Sequence, residues 1–356
     1  MKTSLGRAAG AIASLLLLFL FGCNSKNSGS SGNANQLIGA GSTFVYPIMS
    51  RWISDFQAKN PGVQINYQSI GSGGGIQQLS KGLVQFAASD MPLNDEKSQD
   101  LGGVVQVAES AGPVCITYNL PELKAPLKLS AASLSGIFLG TVKNWEDPLI
   151  KKDNPGVALP KTAIAVVHRS DGSGTTNIFT TYLSAVNQTW KTKVGQGLSV
   201  NWPVGLGGKG SEGVTGVVKQ TPGAIGYVEL TYAESNNLPV VEVENAAKQY
   251  IKPSAESSTA AIDAFSAELA KDVRTPIVDP PASAKDAYPI SGLTFLLIPK
   301  TGNDPGKREE LKKFVGYVLT DGQSISSGLH YSPLPKSLEQ IDMNLLNQVQ
   351  APASGM

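Results

Sequence analysis

The chain has 356 residues, 41% hydrophobic and 16% charged, a globular composition whose length favours two domains. Its 29 basic residues stand against 28 acids, and no basic block offers the electrostatic footprint that nucleic acid requires. Any anion it binds is therefore held by local donors, and 38 glycines and 22 prolines favour a fold with many tight turns.

The first segment reads as a targeting signal. Lys2 and Arg7 form a positive start, and the apolar run from Ala11 to Phe21 ends at Gly22-Cys23. That run is too short for a membrane span and has the layout of a secretory signal over residues 1–22. Leu20-Phe21-Gly22-Cys23 resembles a bacterial lipobox, with Phe21 where a small residue is usual, so Cys23 is expected to carry lipid of the palmitate type. Residues 23–36 are rich in Ser, Asn and Gly, the composition of a flexible tether. Cys115 is then the one remaining cysteine, which excludes an intrachain disulfide and reads as a small apolar core residue.

From Leu37 onward short strands alternate with helices. Pro47 opens a helical run in which Ile48, Met49, Trp52, Ile53 and Phe56 recur at helix spacing, closed by Asn60-Pro61-Gly62. Val63, Ile65 and Tyr67 alternate as a strand, and Gly71-Ser72-Gly73-Gly74-Gly75 leads into a helix at Ile76 to Leu83. An apolar run from Leu83 to Ala88 ends in Ser89-Asp90. Further strands are predicted at 104–107, 114–118, 164–168, 225–228 and 294–298. Further helices are predicted at 130–139, 175–185, 213–219, 259–269 and 307–319. The tail from Thr320 reads as packing plus a frayed end. This alternation predicts an α/β fold with buried strands.

Three loops carry the candidate chemistry: Gly39-Ala40-Gly41-Ser42-Thr43-Phe44, Gly71-Ser72-Gly73-Gly74, and His168-Arg169-Ser170-Asp171-Gly172-Ser173-Gly174-Thr175. Each joins a strand to a helix start, where unpaired N–H groups and the helix dipole favour an anion. Turn geometry and N-capping alone also account for any one of them. Hydroxyls of Thr43, Ser72, Ser173 and Thr175 add uncharged donors, Arg169 offers a two-pronged clamp, and Asp171 is placed to orient it. Asp90 has two readings, an N-cap for the stretch 94–101 or a ligand-facing acceptor. An ionised carboxylate only accepts hydrogen bonds, so the second reading selects an anion that still carries a proton. Sulfate would leave two acceptors opposed, a mismatch that such sites reject by ~10⁴–10⁵ in good cases.

These loops, with Trp202-Pro203-Val204-Gly205-Leu206-Gly207-Gly208-Lys209-Gly210 and Pro222-Gly223-Ala224-Ile225-Gly226-Tyr227, resemble the substrate-binding proteins of bacterial phosphate-specific ABC transporters. The likeness spans nearly the whole chain after the tether. It implies a type II periplasmic-binding-protein fold, two α/β lobes joined by a two-segment hinge. Lobe 1 is expected from 37–110 plus 290–356 and lobe 2 from 111–289, with crossings near 110–112 and 288–290. It implies that Ser42, Thr43, Phe44 (through its N–H), Ser72, Asp90, Arg169, Ser173, Gly174 and Thr175 bind inorganic phosphate, with Asp171 supporting Arg169. His168 and Ser170 depart from the family pattern without removing a ligand. The implied protein is an exported, membrane-anchored monomer, periplasmic or at the cell surface, that serves permease subunits and has no cofactor, metal or catalytic residue. A receptor for another oxyanion and a phosphoester hydrolase are the alternatives. The two histidines, His168 and His330, lie near no Gly-x-Ser-x-Gly elbow, and Gly205–Gly210 lacks the Gly-Lys-Ser/Thr ending of a P-loop.

Overall fold

The computed structural model describes residues 36–301 and 304–349. The expected signal, the lipid site Cys23 and the tether as far as residue 35 lie outside these residues. The first stretch runs β1 (Gln36–Gly41), α1 (Tyr46–Lys59), β2 (Gln64–Ser69), α2 (Ser72–Ser80), β3 (Phe86–Ser89), α3 (Asp95–Asp100) and the long β4 (Val104–Tyr118). The middle follows with β5 (Lys128–Leu129), α4 (Ala131–Phe138), α5 (Pro148–Asp153), β6 (Ala165–Arg169), α6 (Gly174–Val186) and α7 (Gln188–Lys193). It continues through β7 (Leu206–Gly208), α8 (Gly210–Gln220), β8 (Ala224–Glu229), α9 (Leu230–Ser235), β9 (Glu242–Glu244), β10 (Tyr250–Ile251), α10 (Ala255–Ala264) and α11 (Ser266–Leu269). The chain closes with β11 (Ser291–Pro299), α12 (Pro305–Leu319), two 3-10 turns (Asp321–Ile325, Ser327–Leu329) and α13 (Lys336–Leu346).

Eight strands form one sheet in the order β2-β1-β3-β11-β4-β8-β6-β7. β1 pairs in parallel with β2 and β3, and β6 pairs in parallel with β7 and β8. The two parallel groups are joined through antiparallel β11 and β4. Each parallel group is a strand–helix repeat whose loops emerge at one strand end, so both groups deliver glycine-rich helix starts to a common place. Ile48, Met49, Trp52, Ile53 and Phe56 are the buried face of α1, as their spacing predicts, and the Trp52 indole donates to the Gly322 carbonyl at 2.8 Å. Burying a side chain of this size stabilises the fold by about 1.5–3 kcal/mol.

Four expectations are corrected. The strands predicted at 104–107 and 114–118 are one strand, β4, buried along its whole length. The Ser110-Ala111-Gly112-Pro113 stretch reads as a break because it combines small, polar and ring-constrained residues. Pro113 falls where β4 exchanges its partner β11 for β8, which lessens the cost of its missing N–H. α8 begins at Gly210, three residues before the predicted start. The helix predicted at 259–269 is broken at Phe265 into α10 and α11. The tail carries a regular helix, α13, with Leu338 and Leu346 buried.

Candidate functional site

The three predicted loops meet, and a fourth joins them. The turn after β1 carries Ser42, Thr43 and Phe44, and α2 opens at Ser72. β3 ends beside Asp90, the β6–α6 turn carries Arg169 to Thr175, and α8 starts with Gly210 and Ser211. Ser42, Thr43, Phe44, Ser72, Asp90, Arg169, Ser173 and Thr175 are all buried, and Asp171 is partly so. Contacts across the two parallel groups are direct. Gly174 N donates across to Ser72 Oγ at 3.1 Å, an oxygen that also accepts from Asp90 N of its own group at 3.2 Å. Gly73 N donates to the Gly172 carbonyl at 2.9 Å, and Thr43 Oγ1 lies 2.9 Å from Ser211 Oγ.

Arg169 is held on three sides. Its Nε and Nη2 donate to the two oxygens of Asp171 at 2.8 and 2.5 Å, the bidentate geometry in which a guanidinium is best fixed. Nη1 is left to point at Thr175 Oγ1 (3.4 Å) and Ser211 Oγ (3.5 Å). Its backbone N–H donates to the Tyr227 hydroxyl at 3.1 Å, and that ring stacks on Trp202 beneath. Burial opposes the Arg169 charge, but Asp171 outweighs it and raises the guanidinium further. Asp171 also accepts from Gly210 N at 2.9 Å; burial would raise it, yet Arg169 holds it below the usual carboxylate range. Gly71 is required beside this pair. Its φ of +84° disfavours any side chain, and a Cβ there would run into Asp171 Oδ2.

Asp90 is the opposing element. Burial pushes its carboxyl up to about 6, against hydrogen bonds from Ser42 and Thr294, the Arg169 charge and a bond from Thr175. Ser42 Oγ accepts from Phe44 N at 3.0 Å, so its one hydrogen is free to go to Asp90 Oδ1, 2.5 Å away. Asp90 Oδ2 accepts from Thr175 Oγ1 at 3.4 Å. A carboxyl with a hydroxyl donor at each oxygen is held as an acceptor. Asp90 does not cap a helix, because Asn94 caps α3 by accepting from Lys97 N. Ser42 donates to Asp90, and Ser173 caps α6 by accepting from Thr176 N. Hydroxyls, N–H groups and one guanidinium converge here beside the Asp90 carboxylate, while the second carboxylate, Asp171, is taken up by Arg169. That set complements a small tetrahedral oxyanion carrying a proton.

Sequence reasoning missed Ser211, Tyr227, Tyr232 and Glu109. Ser211 was legible as the fourth strand–glycine–helix junction, Gly207-Gly208-Lys209-Gly210-Ser211, had the helix been started at Gly210. Tyr232, whose hydroxyl donates to the Thr43 carbonyl at 2.7 Å, lies in no recognisable motif. His168 stacks on Trp202 with ring centroids 4.9 Å apart and meets the Arg169 carbonyl through Nδ1.

A family model described as a PBP superfamily domain matches residues 26–322. The chain is 43% identical over 317 residues to the phosphate-binding protein PstS of Xylella fastidiosa, covering 89% of this chain and 84% of that one. It is 41% identical over 303 residues to the phosphate-binding protein PstS of Haemophilus influenzae, covering 85% and 90%. Among solved structures, the periplasmic phosphate-binding protein PfluDING bound with phosphate matches with a TM-score of 0.68 at 21% identity, over 89% of this chain and all of that one. That last likeness is one of fold.

Proposed function

The chain belongs to the PBP superfamily and, within it, to the phosphate-binding PstS proteins; from that premise we propose how it captures inorganic phosphate and passes it to an ABC importer. Phosphate is enclosed where the four loops meet, with Arg169 as the charged clamp and Asp90 as the acceptor of the ligand proton. Thr43, Ser72, Ser173 and Thr175 supply the remaining hydroxyl donors, and the Phe44 and Gly174 N–H groups, which here donate to Ser42 and Ser72 Oγ, turn to the ligand when it binds. Ser42 acts through Asp90, whose charge it maintains. The observation that carries this reading is the fixed polarity of Asp90 in a buried site whose other groups are donors.

Two lobes, 37–110 with 290–356 and 111–289, open and close about β4 and the entry to β11. Phosphate contacts both and so lowers the free energy of the closed form, which the permease subunits read. The protein does no chemistry on its ligand. Ser42 and Thr175 donate to Asp90, Thr43 meets Ser211, and Ser72 and Ser173 accept backbone N–H groups, while His168 is engaged by Trp202 and a carbonyl, so the histidine is not paired with a site hydroxyl. Export through residues 1–22 and a lipid on Cys23 keep a monomeric receptor beside its transporter.

Isothermal titration with phosphate and sulfate tests this reading. Wild type is expected to bind phosphate and largely reject sulfate. Asp90→Asn should narrow that gap, because an amide can donate to sulfate. Arg169→Ala should weaken both ligands by about 10²–10³, the scale of breaking a buried charged pair. Equal affinity of the wild-type protein for the two anions would overturn the proposal.

A further inference from the structure

Behind Asp90 lies a second buried carboxyl that the ligand contacts described above do not use. Glu109 of β4 is fully buried. The β4–β11 ladder runs Thr294↔Ser110 and then Phe295↔Ala108, so Glu109 is skipped and forms a bulge. Bulges re-aim a side chain and recur beside functional sites. Neighbouring side chains satisfy the backbone here. Asp342 Oδ1 accepts from Ala108 N at 3.1 Å, and Gln323 Nε2 donates to the Glu109 carbonyl at 2.9 Å.

The bulge sets Glu109 close to Asp90. Phe295 of β11 pairs with Ser89 on one side and Ala108 on the other. One residue further along each neighbouring strand come Asp90 and Glu109, with Thr294 of β11 between them. The Thr294 hydroxyl stands between the two acids with one hydrogen to give, and it donates that hydrogen to Glu109 Oε1 at 3.2 Å. Glu109 Oε2 is buried without a hydrogen-bond partner. The groups facing Glu109 are Asp90 from the end of β3, Tyr67 from β2 and Thr294 from β11, with Asp342 of α13 one residue away across Ala108. Burial pushes Glu109 well above the usual range, and the Asp90 charge pushes it further. Arg169 acts on Asp90 and is already matched by Asp171.

We propose that Glu109 is a charge-setting partner of Asp90: it stays protonated while phosphate is bound, and its ionisation ends phosphate capture on the alkaline side. The inference rests on the phosphate reading above. Two adjacent buried carboxyls do not both ionise readily, and a bound anion makes the second ionisation harder still. Above the pH at which Glu109 loses its proton in the free protein, each phosphate bound returns one proton from solvent to Glu109. Asp90 keeps the single charge of the pair and remains an acceptor.

Calorimetric titration of the full chain from about pH 8 upward, as far as the protein stays folded and free phosphate stays the monohydrogen dianion, reads this directly. Wild-type affinity should fall by up to about tenfold per pH unit, with uptake of up to about one proton per phosphate when two buffers of different ionisation heat are compared. Glu109→Gln should flatten the profile and abolish the uptake. Asp342→Asn should leave both unchanged, although burial raises Asp342 to about 8. Thr294→Val, which removes the donor that favours ionised Glu109, should move the alkaline loss to higher pH and serves if Glu109→Gln does not fold. A flat wild-type profile without proton uptake overturns the inference. So does a Glu109→Gln profile like that of wild type, a loss of the slope in Asp342→Asn, or an unmoved profile in Thr294→Val. Failure to bind phosphate at any pH would instead overturn the phosphate reading.

Discussion

Burial raises the Asp90 carboxyl to about 6, and its neighbours only partly reverse that rise. An acid raised in the folded state binds its proton more tightly than in the unfolded chain. Its cost to folding is therefore fully present above about 6 and fades as pH falls toward the ordinary value of 3.8. The ligand-free Asp90→Asn protein should be more stable than wild type at neutral pH by up to about 3 kcal/mol, with the gain shrinking toward about pH 4, as chemical denaturation at several pH values would reveal. On the proposed role of Asp90, stability and selectivity oppose each other at one residue. Sulfate keeps its charge across this range, whereas Asp90 gains a proton and becomes able to donate. The preference for phosphate should accordingly narrow as pH falls through about 6, measured as the ratio of the two dissociation constants. Chemistry of this kind was legible in the residue types: a lone acid among hydroxyls and an arginine. The second buried acid beside it, Glu109, was not, because nothing in Val107-Ala108-Glu109-Ser110 distinguishes a bulged, buried glutamate from an exposed strand residue.

At the scale of elements, the strand-to-helix junctions are the working parts. Helix starts present N–H groups, and glycine admits close approach, so the junctions after β1, β2 and β6 could be recognised from composition and order. The α8 junction escaped because its strand, β7, has only three residues and little apolar patterning. Ser211 there meets Thr43 Oγ1 at 2.9 Å and lies 3.5 Å from Arg169 Nη1. Ser211→Ala should weaken phosphate binding by about tenfold, the worth of one hydrogen bond to a charged or buried partner, without altering the far-ultraviolet circular dichroism. An unchanged titration curve would remove Ser211 from the site. β4 shows the reverse failure, in which local signals suggested two strands. Pairing with β11 as far as Pro113 and with β8 from Val114 overrode them, since one ladder takes over where the other stops.

The whole molecule depends on how closely its two parallel groups approach. Gly174, at the start of α6, is where the backbone of one group touches the other. A Cβ there would lie 2.5 Å from Ser72 Oγ, 2.6 Å from Asp90 Cβ and 2.7 Å from Asp90 N. Two of those atoms belong to Asp90 at the end of β3 and cannot swing aside. Gly174→Ala should therefore hold the cleft ajar, enlarge the radius of gyration measured by X-ray scattering in saturating phosphate, and weaken binding at least about 100-fold, since the ligand can no longer reach both walls. Wild-type compaction in that variant would contradict the approach described here. By itself the sequence determined the α/β alternation, the buried face of α1 and the three glycine-rich junctions with their hydroxyls, arginine and acids. Each is written in local spacing or in the chemistry of a side chain, and neither needs the rest of the chain. Tertiary structure alone decided that four junctions converge, that β4 runs unbroken through both halves of the sheet, and that Ser42 turns its hydroxyl on Asp90. It also decided that Glu109 lies behind that acid. These depend on pairings between residues far apart in the chain, and on burial, which sets the charge of a carboxyl only once the fold has removed it from water.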